Sequence, residues 1–126
     1  MRYPKISVIM PVYNGAHYLR EAIESILNQT FSDFEFIIIN DGSTDESEKI
    51  IQSYEDDRIV YVKNDTNQKI CVTLNKGLDL ARGEYIARMD CDDISMPMRF
   101  EKQKCFLDKH PSIGIIGSDM TMPKFT

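Results

Sequence analysis

The feature that most constrains this chain is an alternation of two hydrophobic patterns along its length. Short apolar runs, ISVIM (6–10), EFIII (35–39), IVYV (59–62), EYIARM (84–89) and IGIIG (113–117), alternate with segments of helical spacing. Between the first two runs, Leu19, Ala22, Ile23, Ile26 and Leu27 recur at i, i+3, i+4, i+7 and i+8, one face of a helix over 16–28. Ile50, Ile51 and Tyr54 mark a second helix, opened by Ser43 and Glu46 at capping-box spacing. Ile70, Leu74, Leu78 and Ala81 mark a third, with Gly83 placed to end it. A fourth is expected from Pro97 to Lys109, stopped by His110-Pro111. Pro11 is expected to close the first strand.

Strands joined by short helical connections need right-handed crossovers, and these place parallel strands side by side. The predicted fold class is therefore α/β, a three-layer α/β/α arrangement with a mostly parallel sheet. EFIII is apolar without interruption, as a strand covered on both faces should be. The 126 residues are enough for one domain with a real core, and residues 1–126 are read as that domain. An apolar edge left uncovered beyond the fifth strand would favour a homo-oligomer.

Composition narrows the partners. The formal net charge is −5, with Lys and Arg dispersed among the acids, so no basic surface for nucleic acid is expected. Cys71, Cys91 and Cys105 form no CxxC pair, and the odd number suits free thiols in a reducing, cytoplasmic setting. No apolar run approaches the ~20 residues of a membrane span. MRYPKISVIM lacks a small-residue cleavage site and reads as the first strand.

In open parallel sheets, ligands bind outside the carboxyl ends of the strands. The first strand delivers PVYNG there, the second NDGSTD and the fourth DCDD. Asp90, Asp92 and Asp93 fall within four residues and raise one another's pKa unless a cation sits among them. Oxygen donors suit Mg²⁺ or Mn²⁺, and no His or Cys is placed to favour zinc. Cys91 is expected to turn toward the core. Asp41 can accept hydrogen bonds from a base, a ribose or nearby backbone N–H groups. Arg82 is expected to serve as a helix C-terminal cation or to meet a diphosphate, and Arg88 to pair with an acid. A nucleotidyltransferase would want a Gly-rich basic loop after the first strand, and PVYNGAHYLRE has none. A phosphatase would want its nucleophilic Asp at that same place.

PVYN (11–14), NDGSTD (40–45), LNKGLDLARGEYIARMDCDD (74–93) and MP (96–97), in this order, resemble the nucleotide-sugar-binding portion of the family 2 inverting glycosyltransferases. The resemblance implies the Rossmann-like GT-A fold and transfer of a sugar from a nucleotide sugar to an acceptor hydroxyl with inversion. Family frequency favours a UDP-sugar, Mn²⁺ or Mg²⁺ as cofactor, a sugar or lipid-linked acceptor, and a role in polysaccharide or glycoconjugate synthesis. The enzyme would then be cytoplasmic or peripheral to the inner membrane face. Carried over residue by residue, Pro11, Val12 and Tyr13 would line the base and ribose pocket. Asp41 would bind the base, and Lys69 falls where relatives often place a basic or glycine residue near it. Asp90 would lie toward the ribose or sugar, Asp92 would ligate the metal, and Asp93 matches the acid that often follows. The family's catalytic base lies downstream, on the acceptor half, and is expected beyond Thr126, Asp119 not being taken for it. Without that base the chain would be a nucleotide-sugar-binding portion, inactive alone. The alternatives are a non-catalytic remnant or another metal-dependent α/β nucleotide enzyme.

Overall fold

The computed structural model describes residues 3–116. Its elements are β1 (Ile6–Val12), α1 (Ala16–Leu27), β2 (Phe34–Asp41), α2 (Ser47–Gln52), β3 (Ile59–Asn64), α3 (Ile70–Leu80), β4 (Tyr85–Arg88) and α4 (Arg99–Lys109). The strands form one sheet in the order β3-β2-β1-β4, every neighbouring pair parallel. From β1 to β3 the chain advances across the sheet in one direction, and from β3 to β4 it runs back past β2 and β1. With right-handed crossovers, α1 and α2 must share a face and α3 must take the other.

The packing follows that rule. Ile6, Val8, Met10 and Val12 of β1, with Phe34, Phe36 and Ile38 of β2, meet Leu19, Ile23 and Ile26 of α1, Ile50 and Ile51 of α2, and Phe100 of α4. On the opposite face Ile9, Ile37 and Ile39 pack with Val60, Val62 and Leu74. All eight residues of β2 are buried, as its unbroken apolar run requires. Three layers with a parallel sheet are what the alternating sequence calls for.

Three expectations about element ends are corrected first. Pro11 does not close β1, which continues to Val12 and pairs Pro11 with Ile39 of β2. The carbonyls of Lys5 and Ile9 accept from Tyr85 and Met89, so the odd residues of β1 turn their backbone polar groups toward β4. Strand β4 ends at Arg88, opposite Ile9, so the N–H that Pro11 lacks would have no ladder partner there. The Ser43–Glu46 capping box does not form: α2 starts at Ser47, whose N–H donates to Asp45 Oδ1 at 2.9 Å, and Ser43 Oγ instead accepts from the Asn14 N–H at 3.0 Å. Gly83 does not end α3, which stops at Leu80. A Cβ on Gly83 would meet Ser7 N and Oγ at 2.7 Å, so its glycine serves a close backbone approach to β1.

The fifth strand is also absent among the described residues. Residues 113–116 are irregular, Ile115 is 90% exposed, and Gly117 lies outside the described span. Glycine at 114 and 117 leaves the run little side-chain surface with which to pair. Pro97 stands just before Met98, which caps α4, and its carbonyl accepts from the Thr30 N–H at 2.9 Å. Arg82, two residues past the end of α3, turns its side chain to the amino-terminal edge of the sheet, away from the acidic turn. It forms an ion pair with Glu35 at 3.1 Å near the start of β2, and that buried carboxylate also accepts from Ser7 Oγ and the Arg82 N–H.

Two predictions follow from this packing. Alanine is the better helix former by about 1 kcal/mol, yet a Cβ on Gly77 would lie 2.5 Å from Ile9 Cγ2 and 3.2 Å from Ile39 Cδ1. Both isoleucines are fixed in the smaller core cluster, so Gly77→Ala should destabilise by about 1–3 kcal/mol in urea unfolding; a more stable variant would contradict this packing. The second concerns Asp108, whose carboxyl is held at about 2 by hydrogen bonds, first from Tyr85 Oη and then from Lys104. Its folded pKa lies below the unfolded value, so its contribution is complete above about pH 3.8 and disappears as pH falls toward 2. Asp108→Asn should flatten that part of the stability-against-pH curve measured by thermal melting.

Candidate functional site

The four carboxyl-terminal loops meet at one edge of the sheet, where their backbone polar groups need partners that no strand supplies. Asn14 joins the first two. With φ at 50°, a conformation asparagine tolerates, it turns its Oδ1 to accept from the N–H groups of Thr44 at 2.8 Å and Asp45 at 3.3 Å. Asp45 completes the joint, its Oδ2 accepting from the Ala16 N–H at 3.1 Å at the start of α1. Burial raises the Asp45 carboxyl, but hydrogen bonds from Ser47 and Ala16 outweigh it and hold the group below its ordinary value. The Gly15 N–H is taken by Ser47 Oγ at 3.2 Å. With these amides occupied, the start of α1 offers a phosphate little.

Asp41 joins the second loop to the third. It is 4% exposed, and its Oδ1 accepts from Asn64 Nδ2 at 2.9 Å and the Gln68 N–H at 2.8 Å, its Oδ2 from the Lys69 N–H at 3.1 Å. Asn64 is held in turn by Thr73 Oγ1 at 3.3 Å and by Lys76 Nζ, which donates to Asn64 Oδ1 at 2.6 Å. Gly42, at φ 74°, lets this loop lie directly over β2, since a Cβ there would meet Asn67 N at 2.7 Å. Lys69 has φ 75° and ψ 165°, a region that glycine alone enters freely, at a cost of about 1–3 kcal/mol. That is no more than one buried isoleucine contributes, so the core can carry it. The Lys69 side chain stands exposed at the start of α3.

The third group lies beyond β4. Carboxylate oxygens of Asp90, Asp92 and Asp93 fall within 4.8 Å of one another. Burial and then the charges of Asp90 and Asp92 push the Asp93 carboxyl up, against the pull of Arg99. Arg88 Nε lies 3.4 Å from Asp90 Oδ1, both side chains about half exposed, a surface pair worth ~1 kcal/mol or less. Cys91 turns away as expected: its thiol packs where a Cβ on Gly15 would come within 2.6 Å, and burial raises its pKa. The donor set at this turn is oxygen alone, which fits Mg²⁺ or Mn²⁺ and not zinc.

The expected site residues thus form two poles. Asp41 and Lys69 touch directly over β2 and β3, whose following helices leave toward opposite faces and open a crevice. Asp90, Asp92 and Asp93 gather beyond β4. Strand β1 lies between β2 and β4, so the poles stand about two strand spacings, roughly 9–10 Å, apart. Between them Tyr13 is 49% exposed, whereas the Val12 side chain is fully buried in the core and can offer a ligand only its backbone. Pro11 is buried within the sheet. Asp119 lies outside the described residues. Sequence reasoning missed Asn14, Asp45, Asn64 and Arg99; only the Asn14-Gly15 pair, a turn signal, could have pointed to one of them.

Comparison with known proteins agrees with this geometry. The family model described as Glycosyl transferase family 2 matches residues 7–120. EpsE of Bacillus subtilis strain 168, named as a glycosyltransferase, is 45% identical over 120 residues, covering 93% of this chain and 43% of its own. MJ1057 of Methanocaldococcus jannaschii, also named as a glycosyltransferase, is 43% identical over 122 residues, covering 94% of this chain and 42% of its own. Residues 1–349 of S. aureus TarS, solved in complex with UDP-GlcNAc, superpose with a TM-score of 0.81 at 30% identity, over 85% of this chain and 32% of that one. The chain therefore spans about two fifths of the curated relatives' length, and it shares the GT-A fold of the TarS structure. On the match over residues 7–120, this chain belongs to glycosyl transferase family 2.

Proposed function

We propose that this domain binds the donor of a glycosyl transfer, a nucleotide sugar, and that the whole enzyme passes the sugar to an acceptor hydroxyl with inversion. The observation that supports the reading is the pair of poles: we assign the base to the Asp41–Lys69 pole and a cation beside the diphosphate to the acidic turn. Asp41 Oδ2 accepts one protein hydrogen bond and keeps a lone pair for a donor N–H of a base. Tyr13 offers an exposed ring for a base or ribose to lie against, and Lys69 an exposed ammonium at the mouth of the crevice. UDP is the favoured nucleotide, a choice supported by the UDP-GlcNAc bound to TarS.

Asp92, with Asp90 and Asp93 beside it, would hold Mn²⁺ or Mg²⁺. A bound cation supplies Lewis-acid stabilisation of the diphosphate as it departs. In the transfer itself, the acceptor oxygen forms a bond to the anomeric carbon as the bond to the diphosphate oxygen breaks. The electron pair leaves with the diphosphate, and the hydroxyl proton goes to a base that we place downstream of this domain. General-base help of this kind is worth about 10²–10⁴ in rate, so this domain alone should bind donor yet transfer poorly. The acceptor would be a sugar or lipid-linked sugar, in polysaccharide or glycoconjugate synthesis. Three free thiols suit a cytoplasmic site of action.

Calorimetric titration of UDP, GDP and dTDP, with Mn²⁺ or with EDTA, tests the reading. Metal-dependent binding of one nucleotide, abolished by Asp92→Ala, is the expected result; no binding by a folded protein would reject the donor site. Lys69→Gly separates strain from binding. Relief of about 1–3 kcal/mol of strain, less the entropy of an added glycine, should stabilise the fold by about 1 kcal/mol. Nucleotide affinity should fall at the same time; an unchanged affinity would remove Lys69 from the site.

A further inference from the structure

The acidic turn has a brace for which the donor-site reading gives no role. Arg99, at the start of α4, reaches back under the loop that carries Asp90, Asp92 and Asp93. Its Nη2 donates to the carbonyl of Arg88, the last residue of β4, at 3.1 Å. Its Nη1 donates to Ser95 Oγ at 3.0 Å and approaches Met89 Sδ at 3.9 Å, while Nε donates to Gln103 Oε1 at 3.2 Å. The acceptors at 88 and 89 precede the three acids and the one at 95 follows them. One guanidinium therefore spans both ends of the turn. Ser95 is itself fixed, its N–H donating to Ser25 Oγ of α1 at 3.0 Å and its Oγ to Met89 Sδ at 3.3 Å.

Such a brace answers a specific mechanical problem. Three carboxylates within 4.8 Å repel one another, and a turn free to relax would let them spread. Within the turn the backbone bond is the Asp93 N–H to the Asp90 carbonyl at 3.1 Å, a single tie. Arg99 adds ties at both ends and draws Asp93 electrostatically. Its half-buried guanidinium is planar and rigid, so it fixes direction as well as charge, which a lysine could not do.

We propose that Arg99 is a positioning residue for divalent-cation binding: it holds the two ends of the acidic turn so that the carboxylates of Asp90, Asp92 and Asp93 converge. The inference rests on the donor-site reading, and its sign separates it from simple electrostatics. As a nearby positive charge Arg99 repels a cation, so removing it would tighten metal binding by Coulomb's law alone. As a brace, its removal weakens binding, by about 10–100-fold on the scale usual for groups that orient metal ligands.

The experiment is an electron paramagnetic resonance titration of free Mn²⁺ against the protein with saturating UDP, on wild type, Arg99→Met and Arg99→Lys. Circular dichroism and thermal melting establish that each variant is folded. Weaker Mn²⁺ binding in both variants is the expected result. Unchanged or tighter binding in folded Arg99→Met, or wild-type binding restored by Arg99→Lys, would overturn the proposal. If Arg99→Met does not fold, Ser95→Ala removes one anchor of the brace and should weaken Mn²⁺ binding severalfold, no change counting against the proposal. A wild type that binds no Mn²⁺ would overturn the donor-site reading and this inference together, whereas wild-type binding indifferent to Arg99 overturns the inference alone.

Discussion

Strand β1 is the constraint on which the rest of the molecule depends. It is paired in parallel on both sides, with its even-numbered side chains in one core cluster and Ile9 in the other. Parallel pairing on both sides sends all four carboxyl ends to one edge, and there the backbone runs out of ladder partners. The loops must then satisfy one another. Asn14 does so between the first and second, Asp41 between the second and third, and Ser25 of α1 with Gln29 just past its end between the first helix and the fourth loop. Even Pro11 obeys the same geometry, sitting at the level where β1 has outrun β4.

The loops that close the fold are therefore the loops that form the candidate site. Asp41 is a structural acceptor three times over before any ligand arrives. A buried carboxylate with unfilled acceptor capacity is costly to leave alone, and its three donors, an asparagine amide and two backbone N–H groups, make it affordable. Lys69 is the opposite case, a residue that strains the backbone and serves the fold through its main chain while its side chain stands exposed. Strain of that kind persists where the surroundings over-determine it, and here Asp41 and Asn67 fix the Lys69 N–H from two sides.

What was legible in the sequence divides along the same line. Periodicity is local, so all four helices and the first four strands could be read, and so could the face that α1 buries; α3 departs from its apolar spacing, burying Thr73 and Gly77 and leaving Ile70 and Leu78 exposed. The acidic turn was legible because its three acids are neighbours in the chain. Ties between distant loops were not. Nothing in the sequence sets Asn14 against Thr44, or Arg99 against the Arg88 carbonyl, until the topology has brought them together. The misread features fail for this reason. The spacing of Ser43 and Glu46 says capping box, but Asp45 stands nearer to the start of α2 and Ser43 is claimed by Asn14. Gly83 has the composition of a helix stop, but its need for glycine comes from Ser7, which is 76 residues away. IGIIG has a strand's composition, yet residues 113–116 are irregular.

The two poles of the site owe their spacing to the backbone and not to side chains. The Asp41–Lys69 pole hangs from α3 on one face of the sheet, and the acidic turn is tied to α1 and α4 on the other. Helices on opposite faces do not touch, so no side-chain contact between them can set the distance across the site. The register of β2, β1 and β4 sets it, through strand spacings that vary by only tenths of an ångström. A ligand that binds both poles must therefore fit a ruler made of three hydrogen-bonded strands. Side chains can tune what is recognised at either end, but the length of what is recognised is a property of the sheet. The nucleotide that we propose as ligand would have to match that length between its base and its phosphates. This is a physical reason for a parallel sheet, whose core tolerates many sequences, to keep one class of ligand.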